Sequence, residues 1–260
     1  MLEYRDFINI LKEAQELFMH RLKFEDSFEE VKVNVYGDKT LRIDLDMEDF
    51  LIERLRDEGF KGTIICEERG EVKLGDEKLY AIIDPLDGSF NARQRIPYCA
   101  TAIAICKDFR LSDIIQAGVI NLFTGDIFYA DIQLLKLPYT PRKSDIRVVE
   151  VHLSRKLARP DLTQKLTRLL NEFKVYRWMG AIALSPCMVA CNSISAFVSI
   201  TGCRLLDIVP GLFIAYKAGK SILIEGNSRA KDIRLDVKKR VKCIVASNER
   251  ILKLILQAIH

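Results

Sequence analysis

Asp84 and Asp87 close the apolar run AIIDPLDGSFN at residues 81–91, with only Pro85 and Leu86 between them. Ile82 and Ile83 belong in a core, and the residue before a proline is held extended, so Asp84 is expected at the carboxyl end of a stiff strand. Asp87 follows on the turn, where Gly88 permits backbone geometry that other residues resist. Carboxylates held together repel unless a cation lies between them, and oxygen ligands on a preorganised turn suit Mg²⁺. The Leu86 carbonyl is a further oxygen at that point. The same residues also fit an aspartate-initiated turn with two solvated carboxylates, and the pair alone does not choose.

Three more segments carry acids in comparable places. GTIICEERG, residues 62–70, ends another apolar run in Glu67 and Glu68, which in isolation reads as surface. GCRLLDIVPGLFIAYKAG, residues 202–219, sets Asp207 at the start of an apolar helical pattern, where an N-cap is the simplest role and Pro210 is tolerated. YGDKTLRIDLDMED, residues 36–49, brings Asp38, Thr40 and Asp44 together before an acidic helix and reads by itself as a solvated loop.

Apolar spacing near 3.6 predicts the helices that surround these segments, at 2–22, 44–58, 161–172, 181–191, 207–218 and 248–258. Nine strand-like runs alternate with them: GTIIC, LYAIID, ATAIAIC, IIQAGVIN, DIFYAD, VYRWM, ISAFVSI, KSILIE and CIVAS. The fold class is therefore α/β or α+β. Residues 135–160 change character, with three prolines and several basic residues, and are the expected connection between two halves. The division expected is 1–140, an α+β subdomain with most of the acids, and 141–260, an α/β subdomain with Asp207 and the substrate contacts.

Composition excludes more than it assigns. A hydrophobic fraction of 49% and a charged fraction of 29% describe a globular chain, not a disordered one. The net charge of +4 is spread along the 260 residues, and the basic stretch lacks interleaved aromatics, so a nucleic-acid partner is not expected. No apolar run reaches membrane-spanning length, and the N-terminus reads as an amphipathic helix, so a cytoplasmic location away from membranes is expected. The seven cysteines show no C-x-x-C pair and sit in apolar runs as small hydrophobes. Cys187 and Cys191 share helical spacing, but His20, His152 and His260 all lie far from them in sequence, so no zinc site is expected.

Taken in order, G-D-K-T-x-x-I-D, E-E-R-G, D-P-L-D-G-S-F-N, R-W-M-G-A-I-A-L and L-L-D-I-V-P-G resemble the inositol monophosphatase family. The likeness is to its archaeal members, which also resemble fructose-1,6-bisphosphatases, and it runs from about residue 35 to 225. It implies a layered α-β-α-β-α sandwich of the sugar phosphatase type, usually a homodimer. It also implies two or three Mg²⁺ ions: one on Glu67, Asp84 and the Leu86 carbonyl, a second on Asp84, Asp87 and Asp207, and a weaker third on Glu67 and the loop around Asp38. Glu68 would orient the attacking water from just outside, Ser89 and Glu67 would align it, and the N–H groups of Gly88 and Ser89 would hold the phosphate.

The activity so implied is Mg²⁺-dependent hydrolysis of inositol monophosphate, with fructose-1,6-bisphosphate as the alternative substrate. A nucleotide phosphate such as 3'-phosphoadenosine 5'-phosphate would need an aromatic pocket that the sequence does not reveal. A binding module without turnover would not need a water-positioning pair. Ser185, Arg177 and Arg204, with Arg93 and Arg95, are the candidate substrate contacts, and arginines converging opposite the metal site would mark the bisphosphatase. Ser89 for the usual threonine, Val209 and Pro210 for small residues, Cys66 for glycine or serine and Lys220 for glycine depart from the family pattern. None removes a ligand; substrate choice is what they leave open.

Overall fold

A computed structural model describes residues 2–35, 37–139, 146–153, 160–225, 234–237 and 239–259. Seven helices are described: α1 Tyr4–Arg21, α2 Arg42–Asp57, α3 Ser89–Arg93, α4 Pro160–Asn171, α5 Leu184–Ala190, α6 Leu205–Lys217 and α7 Glu249–Ile259. The strands up to the proposed connection are β1 Glu30–Val33, β2 Lys39–Leu41, β3 Thr63–Ile65, β4 Glu71–Lys73, β5 Tyr80–Asp87, β6 Ala100–Cys106, β7 Ile114–Asn121, β8 Ile127–Asp131 and β9 Leu135–Lys136. Beyond it come β10 Val148–His152, β11 Val175–Arg177, β12 Ala196–Arg204, β13 Ser221–Ile224 and β14 Arg240–Ala246.

β1 and β2 form a hairpin; seven strands order as β4-β3-β5-β6-β7-β8-β9, and five as β11-β10-β12-β14-β13. Every residue of β6 is buried because helices cover both faces of its sheet. Ile103 and Ile105 pack with Phe7, Leu11, Met47 and Leu51 of α1 and α2. On the other face Ala100, Ala102 and Ala104 offer only methyl groups, and α6 lies close against them with Leu206, Val209 and Phe213. Phe197, Cys243 and Val245 of the second sheet cover α5 and α6 from the opposite side. Val149, Val151, Val198 and Ile244 face outward onto Leu169 of α4 and Ile255 of α7. The layers are thus α-β-α-β-α, and α5 with α6 is the middle one.

Three local expectations change. The stretch around Val149 and Val151 is not bare connection: it is β10, paired in parallel with both β11 and β12. Its signal was weak because Glu150 interrupts the valines; residues 140–145 and 154–159 of the same stretch lie outside the described residues. The helix expected from 181 begins at Leu184, with Ala183 at its N-cap and the Ala183 N–H donating to Asp87 Oδ2. Asp207 is not an N-cap: Arg204 holds that position, and Asp207 is the third residue of α6. The seven cysteines are free and buried.

Candidate active site

The spacing of the two aspartates acquires its meaning in β5. Asp84 pairs with Ala102 and Asp87 with Ala100, so three steps along β5 face two along β6. Such a bulge lets residues three apart share a side, which a regular strand forbids. Pro85 has no N–H for the ladder, and its carbonyl accepts the Thr101 hydroxyl at 2.7 Å. Both aspartates consequently lie in the field of Asp207, Glu67 and Arg204. Gly88 then turns the chain with φ +91°; a Cβ there would meet Ala181 Cβ and the Tyr98 carbonyl, each at 3.1 Å. α3 begins at the next residue, Ser89.

Glu67 leaves the end of β3, Asp84 the bulge, and Asp207 the first turn of α6. One carboxylate oxygen of each lies within 4.8 Å of the others. Asp84 is buried and its Oδ1 has no hydrogen-bond partner. An orphaned anionic oxygen facing two more carboxylates is the donor set a hard divalent cation requires, so the residues fit Mg²⁺. Asp87 stands slightly apart, with Oδ2 accepting the Ala183 N–H at 2.5 Å. That bond joins β5 to the residue ahead of α5, and it leaves the second carboxylate oxygen of Asp87 to the site.

A cleft of about 170 Å³ lies beside these groups: Glu67 and Asp84 line it, with Asp38, Asp44, Glu68 and Ser89 and with Lys39, Pro85, Leu86 and Arg204, whereas Asp87 and Asp207 are not among its lining residues. Burial pushes Asp84 and Asp87 well above the ordinary carboxylate range, and their mutual repulsion and that of Asp207 add to it. Asp207 is raised to about 7 by burial, with Arg204 opposing the rise. Glu68 also rises to about 7 through burial, although the Thr40 hydroxyl donates to its Oε2 and favours the charged form. These acids are poised to ionise when a cation arrives.

Two residues of the segment that reads as a solvated loop belong here, and a third, Glu48, was missed. Thr40 is fully buried and Asp44 nearly so, and Asp44 lines the cleft while accepting the Leu41 N–H at 2.8 Å. Glu48, also buried, accepts the Glu68 N–H at 2.8 Å and fixes that loop. Their signal was present in the K-T-x-x-I-D spacing: an Asp at the third helical position, reaching back to the N-cap N–H, marks a helix start. The solvated reading holds for Asp38, which is exposed, and fails for Thr40 and Asp44, which are buried beside the Glu67–Glu68 segment.

Other expected residues do not converge. Ser185 is fully buried on α5 and is not among the residues that line the cleft. Arg177 lies exposed on β11 at the edge of the second sheet and donates to the Tyr176 carbonyl. Arg93 and Arg95 lie 3.8 and 3.9 Å from Glu30 and Glu25 respectively, and neither lines the cleft. Arg204 does line it, but as a partner of the acids rather than opposite them.

The chain matches the profile of the inositol monophosphatase family over residues 4–260. It is 32% identical, over 86% of its length and 84% of the relative's, to a fructose-1,6-bisphosphatase/inositol-1-monophosphatase of Archaeoglobus fulgidus. It is 28% identical over 95% of its length to a bifunctional NADP phosphatase/NAD kinase of Methanococcus maripaludis. The chain spans about half the length of the bifunctional relatives it matches. Among solved structures, an inositol monophosphatase–fructose 1,6-bisphosphatase superposes with TM-score 0.82 at 24% identity, covering 99% of this chain and 100% of the other.

Proposed function

From the premise that the chain belongs to the inositol monophosphatase family, we propose that it is a Mg²⁺-dependent phosphomonoesterase acting on inositol monophosphate. The observation that carries this is the Glu67–Asp84–Asp207 triad with its orphaned Asp84 oxygen, beside a cleft of about 170 Å³ that Glu67 and Asp84 line. Glu67, Asp84 and the Leu86 carbonyl would hold one ion; Asp84, the free oxygen of Asp87 and Asp207 would hold the other. Bound there, magnesium would lower the pKa of water and offset the charge of the attacking and leaving oxygens.

The protein's own groups do the rest. Glu68, held by the Thr40 hydroxyl and by Glu48 through its N–H, orients the attacking water and takes its proton. Ser89 supplies a hydroxyl at the cleft wall, and the N–H groups of Gly88 and Ser89 at the start of α3 would hold the phosphate. Asp84 and Asp87 serve as ligands, so no covalent phosphoenzyme forms.

Among the described residues Lys39 and Arg204 are the cationic side chains lining the cleft, and Arg177, Arg93 and Arg95 are elsewhere. That distribution favours a monophosphate over a bisphosphate. The assay that tests the proposal is phosphate release from inositol-1-phosphate and fructose-1,6-bisphosphate in parallel, with Mg²⁺ titrated from zero. A higher kcat/KM for the monoester, absent without Mg²⁺, is expected; release from neither defeats the reading.

A second reading has its own support. Phe90 stands 70% exposed immediately after Ser89, and Trp178 is 59% exposed beside Met179. Asn91 joins the two segments, its amide donating to the Tyr98 and Met179 carbonyls at 2.8 Å each. Exposed aromatics beside a phosphate site can stack a base, as an NADP phosphatase would require. NADP belongs in the same assay, and Trp178→Ala should raise its KM if stacking operates. A homodimer is part of the proposal on family grounds and is checked by light scattering.

A further inference from the structure

Arg147 stands immediately before β10, and its carbonyl accepts the N–H groups of Lys174 and Val175 at 3.1 and 3.3 Å, which anchors it at the edge of the second sheet. α7 begins just after β14, with Asn248 Oδ1 accepting the Ile251 N–H at 3.0 Å. Ile251, Leu252, Ile255 and Ala258 of this helix are buried. The helical period therefore gathers Arg250, Lys253, Leu254 and Gln257 along one other face. Between that face and Arg147 lies a cavity of about 920 Å³, to which Asn248 and Ile251 also contribute. Its lining holds three cations and no acid. Glu249, the neighbour of Arg250, is engaged elsewhere, its Oε1 accepting the Ser221 hydroxyl at 2.8 Å. Among the described residues no carboxylate forms an ion pair with Arg147, Arg250 or Lys253. Arg54, by contrast, faces Glu13, Asp57 and Glu58.

We propose that this cavity is a second ligand site, for a nucleoside diphosphate. Cations gathered without a counter-charge repel one another, and an anion between them relieves the repulsion. The arginine forks match phosphate oxygens two at a time, and Lys253 adds a point charge. Three positive charges balance the roughly three negative charges of a diphosphate ester near neutral pH. Ile251 and Leu254 give the base an apolar surface, and the amides of Asn248 and Gln257 offer both donors and acceptors to its edge or to the ribose. The volume falls within the roughly 300–1,000 Å³ of small-molecule sites. The site is separate from the acids: β12 runs from Ala196, paired with Ala246 at the α7 end of the sheet, to Arg204 among the carboxylates. That is roughly 25 Å of strand, and the two cavities share no lining residue. The site does not depend on the phosphatase reading.

Isothermal titration calorimetry of the full chain with ADP, in EDTA, reads this site with no divalent ion to draw a phosphate to the acidic cleft. One ADP per chain is expected, with both adenosine and inorganic pyrophosphate binding more weakly. The double variant Arg250→Gln/Lys253→Gln should raise Kd at least about tenfold, since two charge-assisted contacts are lost. Arg147→Gln should raise it from the opposite wall, and Lys39→Gln, in the acidic cleft, should leave it unchanged. The three residues substituted at the cavity are exposed, and circular dichroism checks that each variant is folded. No ADP binding to the wild type at millimolar concentration, or an unchanged Kd in the double variant or in Arg147→Gln, would overturn the proposal. Loss of binding in Lys39→Gln would overturn it by moving the ligand to the acidic cleft, and pyrophosphate binding as tightly as ADP would overturn the nucleotide assignment.

Discussion

The Thr40 hydroxyl donates to Glu68 Oε2 across 28 residues of sequence, joining the hairpin strand β2 to the loop after β3. Both groups are buried, so the acceptor has no water to replace a lost donor. Thr40→Val keeps the shape and removes the hydroxyl. The variant should lose about 1–3 kcal/mol of stability, the cost of an unsatisfied buried acceptor. If Glu68 orients the water as proposed, kcat should fall with KM little changed; steady-state kinetics and urea unfolding measure both.

Asp84→Asn should abolish Mg²⁺-dependent turnover while making the ion-free protein more stable. The substitution replaces a buried carboxyl whose ionisation is opposed by burial and by the neighbouring acids with a neutral amide of nearly the same volume. Magnesium should then stabilise the wild type and not the variant. At about a hundredfold excess over Kd the wild type should gain about 2.7 kcal/mol, or about 5–10 °C in Tm for a chain this size. Equal magnesium shifts in both proteins would remove Asp84 from the site.

Gly88→Ala places a Cβ at φ +91°, 3.1 Å from both Ala181 Cβ and the Tyr98 carbonyl. A non-glycine residue held in that region costs on the order of 1–3 kcal/mol. The strain falls between Asp87 and Ser89, so turnover should drop together with Tm. A variant as stable and active as the wild type would show that the turn relaxes freely.

Glu150 on β10 is buried among α5 and the strand neighbours, and burial raises it to about 7 against the opposing bonds of Ser185 and the Met179 N–H. The folded protein keeps a proton that the unfolded chain releases near 4.5, so this stabilisation is complete below 4.5 and lost as pH rises through 7. His152 works in the other direction: burial, with Arg240, lowers it to about 4, so its contribution is present above 6.5 and lost as pH falls through 4. The two offset each other between 4.5 and 6.5, leaving Glu150 to act above that. Glu150→Gln should flatten the fall in stability between pH 6 and 8, by about 1 kcal/mol. Chemical denaturation at the two pH values decides it; identical slopes would count against a protonated Glu150.

Much of the fold and the core of the site were legible because their causes are local. Helix spacing located α1, α2, α4, α6 and α7 closely, and D-P-L-D-G carries its own bulge, extended proline neighbour and left-handed turn within five residues. Such features depend on backbone sterics that the sequence states directly. The assignments that changed depend on which distant segments meet. Ser185 looked available until α5 was packed between two sheets, and Asp44 looked solvated until the Glu67–Glu68 loop covered it. Arg204 was a candidate for a second phosphate; only the fold brings it to Asp38, 166 residues away, and to Glu67. Side-chain reach and burial follow from the packing of layers, and no local spacing records them.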